Sequence, residues 1–96
     1  VVNLYPFEKY SKDNKTSKLI EMIDIGGPSL LRGASKNYKF VTPVISPMDY
    51  QKLINNIKRN GGETDINFRR KMAYKVFKEV SNYDKIIAKW FNEIKN

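Results

Sequence analysis

Residues 22–28, MIDIGGP, decide how this chain is read. A carboxylate, two glycines and a proline follow directly on an apolar run. Pro28 suits the first turn of a helix, where a missing N–H leaves nothing unpaired. The glycine pair lets backbone approach a neighbour closely, or simply makes a turn. Asp24 reads equally as a cap for that helix or as a contact for a ligand. Apolar, β-branched runs flank the turn on both sides, VVNLYPF at 1–7 and FVTPVI at 40–45. Read as strands, they put the turn on a strand–helix–strand crossover, which implies parallel neighbours and a right-handed connection.

Working outward, Pro6 stops the first strand near Leu4 or Tyr5. EKYSKDNKTSK, residues 8–18, is polar and reads as a solvent loop. Thr16 or Ser17 then caps a short helix that buries Leu19, Ile20, Met22 and Ile23. The next helix spans Pro28 to Asn37 with Leu30, Leu31 and Ala34 inward. Pro43 makes the second strand, Phe40 to Ile45, an edge or a bulge. Ser46-Pro47-Met48-Asp49 combines a cap, a proline and a first-turn acid, and Tyr50, Leu53, Ile54 and Ile57 follow at helical spacing. Asn60-Gly61-Gly62 ends that helix. Thr64 caps a last, long helix whose apolar stripe runs from Phe68 to Ile94, with Ser81-Asn82 as a place to bend. The expected fold is α/β, a single partial domain over residues 1–96. Two strands are too few for an independent sheet, so partner strands are expected to lie in a missing N-terminal portion.

With 96 residues, 41% apolar and 29% charged, the composition is that of one small globular domain. No apolar run approaches the ~20 residues of a membrane span, and no secretory signal is seen. The absence of cysteine and histidine removes disulfides, cysteine nucleophiles, histidine bases and the usual zinc sites, and fits a cytoplasmic setting. The net charge of +8 sets fourteen lysines and four arginines, spread along the chain, against ten acidic residues. Scattered solvated lysines explain it better than a nucleic-acid surface, and a phosphorylated small ligand would also welcome it. A non-catalytic basic nucleic-acid-binding module, or a dimerisation module using sheet edges, is the alternative function.

In open α/β sheets, ligands bind outside the carboxyl ends of the strands. That brings Asn3, Tyr5, Asp24 and the amides at the start of the Pro28 helix into consideration, the amides favouring an anion. Tyr5-Pro6-Phe7 reads also as packing at a strand exit. Trp90-Phe91 reads as packing rather than a stacking platform.

Three strings taken together are more specific. VVNLYPF, IDIGGPSLLRGASKNYKFV (23–41) and RRKMAYKVFKEVSNYDKIIAKWF (69–91) resemble, in this order, the bifunctional purine-biosynthesis enzymes that join AICAR transformylase to IMP cyclohydrolase. The resemblance implies the C-terminal half of the cyclohydrolase domain. Its fold would be a methylglyoxal-synthase-like, three-layer parallel-sheet domain with a long C-terminal helix. It implies closure of FAICAR to IMP with loss of water, with Tyr5, Asp24 and Lys36 in the active site and the lysine as proton donor or acceptor. Val2, Asn3, Asp24 and Ile25 would line the purine nucleotide precursor, with Gly26 and Gly27 beside it. No metal or cofactor is implied for the closure. 10-Formyltetrahydrofolate serves the transformylase domain, which lies outside this chain, and the parent enzyme would be a homodimer.

The sequence departs from that family in three respects. The phosphate cradle and a further catalytic lysine belong to an N-terminal half absent here, so the isolated chain is expected to be inactive. Glu79-Val80 stands where the family has His-Thr, and Gly33 and Ser35 replace two alanines. Asp24 and Lys36 also lie twelve positions apart, about 18 Å if all were helix. To share a site they need a late helix start, a bend, or a lysine that reaches back.

Overall fold

Pro6 and Pro43 each interrupt an apolar segment where a ladder would need an N–H. In the structure, a computed structural model that describes residues 1–11 and 16–94, neither segment becomes a strand. The two are joined by a backbone bond from Val2 N to Val44 O at 3.0 Å. The expected α/β fold with a three-layer parallel sheet is therefore corrected to a helical one, with no strand among the described residues. The apolar side chains find burial against helices instead. Val44 and Ile45 are buried, and Leu31, Ile45, Val76 and Val80 form a core cluster onto which Val2 and Leu4 pack.

The helices are α1 (Phe7–Ser11), α2 (Thr16–Glu21), α3 (Gly26–Lys36), α4 (Tyr50–Arg59) and α5 (Ile66–Glu93), with a 3-10 turn at Pro47–Asp49 before α4. The 28 residues of α5 make a rod about 42 Å long, and it runs through Ser81-Asn82 without interruption. That rod sets the shape. The radius of gyration is 15.8 Å, above the roughly 12–13 Å of a compact chain of this length. None of the helices among the described residues is long and apolar enough to cross a membrane.

A second cluster joins Phe7, Leu19 and Tyr83, with Ile87 and Trp90 against it. Phe7 meets the Trp90 ring edge-on at 5.5 Å. This anchor explains why α1 forms where a loop was expected; residues 12–15 of that loop lie outside the described residues. The inward row of α3 is Gly27, Leu31 and Ser35, spaced four apart, while Leu30 is 65% exposed. Ile20, expected inside, is also exposed. Gly61 and Gly62 take positive φ, and Gly62 N donates to Ile57 O at 2.9 Å, closing α4 as the sequence suggests.

Ser35 is buried, and its hydroxyl has no hydrogen-bond partner among the described residues. Replacing Ser35 with alanine is expected to raise stability by about 1 kcal/mol, since an unpaired buried hydroxyl carries a desolvation cost. A rise in the urea midpoint at unchanged slope checks it.

The cap of α5 is Asp65, where Thr64 was expected. Asp65 accepts from Phe68 N at 2.8 Å and from Asn56 Nδ2 at 2.8 Å. Thr64 instead shares a hydrogen with Thr42 at 2.7 Å and accepts from Arg69, whose fork also donates to the Tyr38 and Lys39 carbonyls. The Phe68 amide and the Asn56 side chain hold the Asp65 carboxyl below its ordinary value of 3.8. A depressed pKa means that its contribution is complete above the unfolded value and fades as pH falls through the folded one. Stability is therefore expected to fall below about pH 4, and Asp65→Asn to flatten that limb of the acid-unfolding curve.

Candidate functional site

The turn after α2 is built around Asp24. Its Oδ1 accepts from Gly27 N at 2.7 Å and its Oδ2 from Tyr5 N at 3.2 Å. One carboxylate thus caps α3 and ties the N-terminal segment to it. Asp24 N in turn donates to the Tyr83 hydroxyl at 2.9 Å, and that hydroxyl donates to Met22 O at 3.4 Å. Glycine at position 27 lets the Asp24 carboxylate come this close. A Cβ there would stand 2.7 and 2.8 Å from the two Asp24 oxygens, whereas one on Gly26 would meet nothing within 4 Å.

Tyr5, Asp24, Ile25, Gly26 and Gly27 therefore come together. The Tyr5 and Ile25 side chains are exposed at 53% and 72%. The Gly26 N–H, at the positive end of the α3 dipole, has no partner among the described residues. Val2 is half-buried on the Val44 carbonyl, and the Asn3 amide donates to the Tyr50 hydroxyl at 3.4 Å, so both lie on the segment leading to Tyr5. Lys36 is not brought to the turn. The helix starts at Gly26 and runs without a break to Lys36, about 15 Å further on.

Leu4, Tyr5, Pro6, Glu79, Asn82 and Tyr83 are among the walls of a groove of about 340 Å³ beside the turn. Glu79 thus lines the same groove as Tyr5. A roomier groove of about 600 Å³ lies between α3 and α5, where Arg32 stacks on Phe77 at 5.4 Å. It is lined by none of the candidate catalytic or nucleotide-binding residues read from the sequence.

The sequence reading missed Tyr83 as a polar partner, because it falls on the apolar stripe of α5. A phenol in such a stripe is the one signal available, since a buried Tyr hydroxyl needs a partner. Burial pushes its pKa above 10.0, opposed by the Asp24 amide and reinforced by the charges of Asp24 and Asp84. A raised pKa means that this contribution to stability is complete below pH 10 and is lost as pH rises through the folded value.

Residues 34–96 match the family described as the AICARFT/IMPCHase bienzyme. The bifunctional purine biosynthesis protein PurH of Rhizobium rhizogenes is 43% identical over 96 residues, 97% of this chain and 18% of that protein. Its counterpart from Lactococcus lactis subsp. lactis is 46% identical over 94 residues, again 97% and 18%. A crystal structure of ForH is 35% identical with a TM-score of 0.70, over 75% of this chain and 38% of that one. The chain thus spans about 18% of the length of the curated relatives it matches.

Proposed function

Since this chain belongs to the AICARFT/IMPCHase bienzyme family, we propose that it supplies the Asp24 turn of a site that closes FAICAR to IMP. The observation that carries this reading is the 43% identity running through 97% of the chain, the turn included. In the closure, the carboxamide nitrogen attacks the formyl carbon and loses a proton. The formyl oxygen takes up that proton to become the hydroxyl of a carbinolamine, then leaves as water with the proton of the former formamido nitrogen as the C=N bond forms. Both reacting groups already sit on one molecule, so the cost of bringing them together is met within the substrate, and the site contributes by holding them in the near-attack geometry.

What this chain contributes is position and polarity. Both Asp24 oxygens are engaged by N–H donors, so the carboxylate is a clamp rather than a proton carrier. It fixes the Tyr5 segment against the start of α3 and leaves the Tyr5 phenol exposed. The Gly26 amide favours negative charge on the former formyl oxygen. Val2, Asn3, Ile25 and Gly27 would flank the nucleotide. Lys36 stands about 15 Å from the turn along α3, so its role as proton carrier is proposed on the family resemblance alone, and the Lys36→Ala variant decides whether it reaches the reacting atoms.

The test follows FAICAR closure by absorbance, with the isolated chain and with a chimera in which residues 1–96 replace the matching segment of the Lactococcus lactis relative. Closure by the chimera and none by the isolated chain is expected. Robust closure by the isolated chain, or an inert chimera that still transfers formyl groups, contradicts the reading. In the chimera, Lys36→Ala should lower kcat by about 100-fold or more with KM little changed, the usual worth of a positioned proton carrier. An unaltered kcat removes Lys36 from that role.

A further inference from the structure

We propose that Tyr83 is a positioning residue for the Asp24 turn, acting through its hydroxyl from α5. The turn and Tyr83 are 59 residues apart in sequence, yet the hydroxyl engages the backbone on both sides of Ile23. It accepts the Asp24 N–H at 2.9 Å and donates to the Met22 carbonyl at 3.4 Å. The Asp24 backbone is thereby referenced to the longest helix of the molecule. From there its carboxylate reaches Gly27 N and Tyr5 N. A chain of hydrogen bonds therefore runs from α5 through Tyr83 and Asp24 to the amide of Tyr5.

Packing alone does not require the hydroxyl. The Tyr83 ring is 8% exposed among Phe7, Leu19 and their neighbours, where a phenylalanine ring would fill the same space. The oxygen is satisfied by this turn, and removing it leaves a half-buried amide and carbonyl unpaired. The loss falls on the turn while the core stays filled. The bearing on catalysis rests on the function proposed above; the positioning itself does not.

The experiment has two arms. In the chain itself, Tyr83→Phe is expected to speed hydrogen exchange at the Asp24, Gly27 and Tyr5 amides about 10-fold or more, as expected for a lost hydrogen bond, with the Val76 amide of α5 unchanged. Unchanged exchange at the turn, or equal acceleration at Val76, overturns the positioning role. In the chimera, the same substitution is expected to lower kcat for closure about 10- to 100-fold at nearly constant KM, the effect of a small misplacement. Faster exchange with an unaltered kcat overturns its bearing on the reaction. A chimera that fails to close FAICAR before any substitution defeats the proposed function, and the exchange arm still decides the positioning.

Discussion

Replacing Lys75 with methionine is expected to lower the stability of this chain by about 3 kcal/mol, the lower end of what breaking a buried pair costs. Asp49 is 1% exposed, and both its oxygens lie 2.7 Å from Lys75 Nζ. Without that ammonium the carboxylate keeps, among the described residues, only the Lys52 cation, 3.8 Å away on a side chain that is 69% exposed. The lower end applies because Lys75 keeps 33% of its side chain in water, where part of the field is screened. Against a total of roughly 5–15 kcal/mol this is a large share. Urea unfolding reads it directly. The Asp49→Asn, Lys75→Met double variant should lose less than the sum of the two single changes. A drop below about 1 kcal/mol for Lys75→Met would mean that the pair behaves as a surface one.

Gly27→Ala should separate sharply from Gly26→Ala. The new Cβ at position 27 would overlap the Asp24 oxygens at 2.7 and 2.8 Å, so the carboxylate must swing away. It then surrenders the bonds from Gly27 N and Tyr5 N. Hydrogen bonds to a charged group are worth about 1.5–3 kcal/mol each, offset by about 1 kcal/mol from alanine's better helix propensity. A net loss of about 2 kcal/mol is expected. Release of the Tyr5 amide to exchange should accompany it. Gly26→Ala, with open space around it, should keep the turn intact and gain up to about 1 kcal/mol from the same propensity. Equal effects at the two positions would mean that the close approach of Asp24 is not what demands glycine.

Chain punctuation was legible, and pairing between distant segments was not. Pro28 and its glycines put the start of α3 within two residues, and Ser46-Pro47 and Asn60-Gly61-Gly62 bounded the next helix. Each of these acts through its own backbone. The strand reading failed because VVNLYPF and FVTPVI look alike whether they pair with each other or pack as irregular chain on a helix. Two prolines and a lone Val2–Val44 bond decide for the latter. Leu30 and Leu31 differ by one position, about 100° around a helix, so a stripe read from sequence easily takes in an outward neighbour along with the inward one. At the candidate site, Asp24 turned out to cap its helix and also to hold Tyr5. Lys36 lies at the far end of that helix, because α3 begins early and does not break. The bonds from Tyr83 to Asp24 and from Lys75 to Asp49 span 59 and 26 residues, and no local pattern announces them.

If the Asp24 clamp organises a closure site, the ratio of two rates in one chimera must depend on its charge. In the chimera, the rates of FAICAR closure and of formyl transfer are measured before and after Asp24→Asn. The substitution keeps the shape and removes the charge that both amides need. Closure is predicted to fall about 100-fold or more, as misplaced reacting groups demand, while formyl transfer stays unchanged. Closure that persists at its original rate would contradict the account.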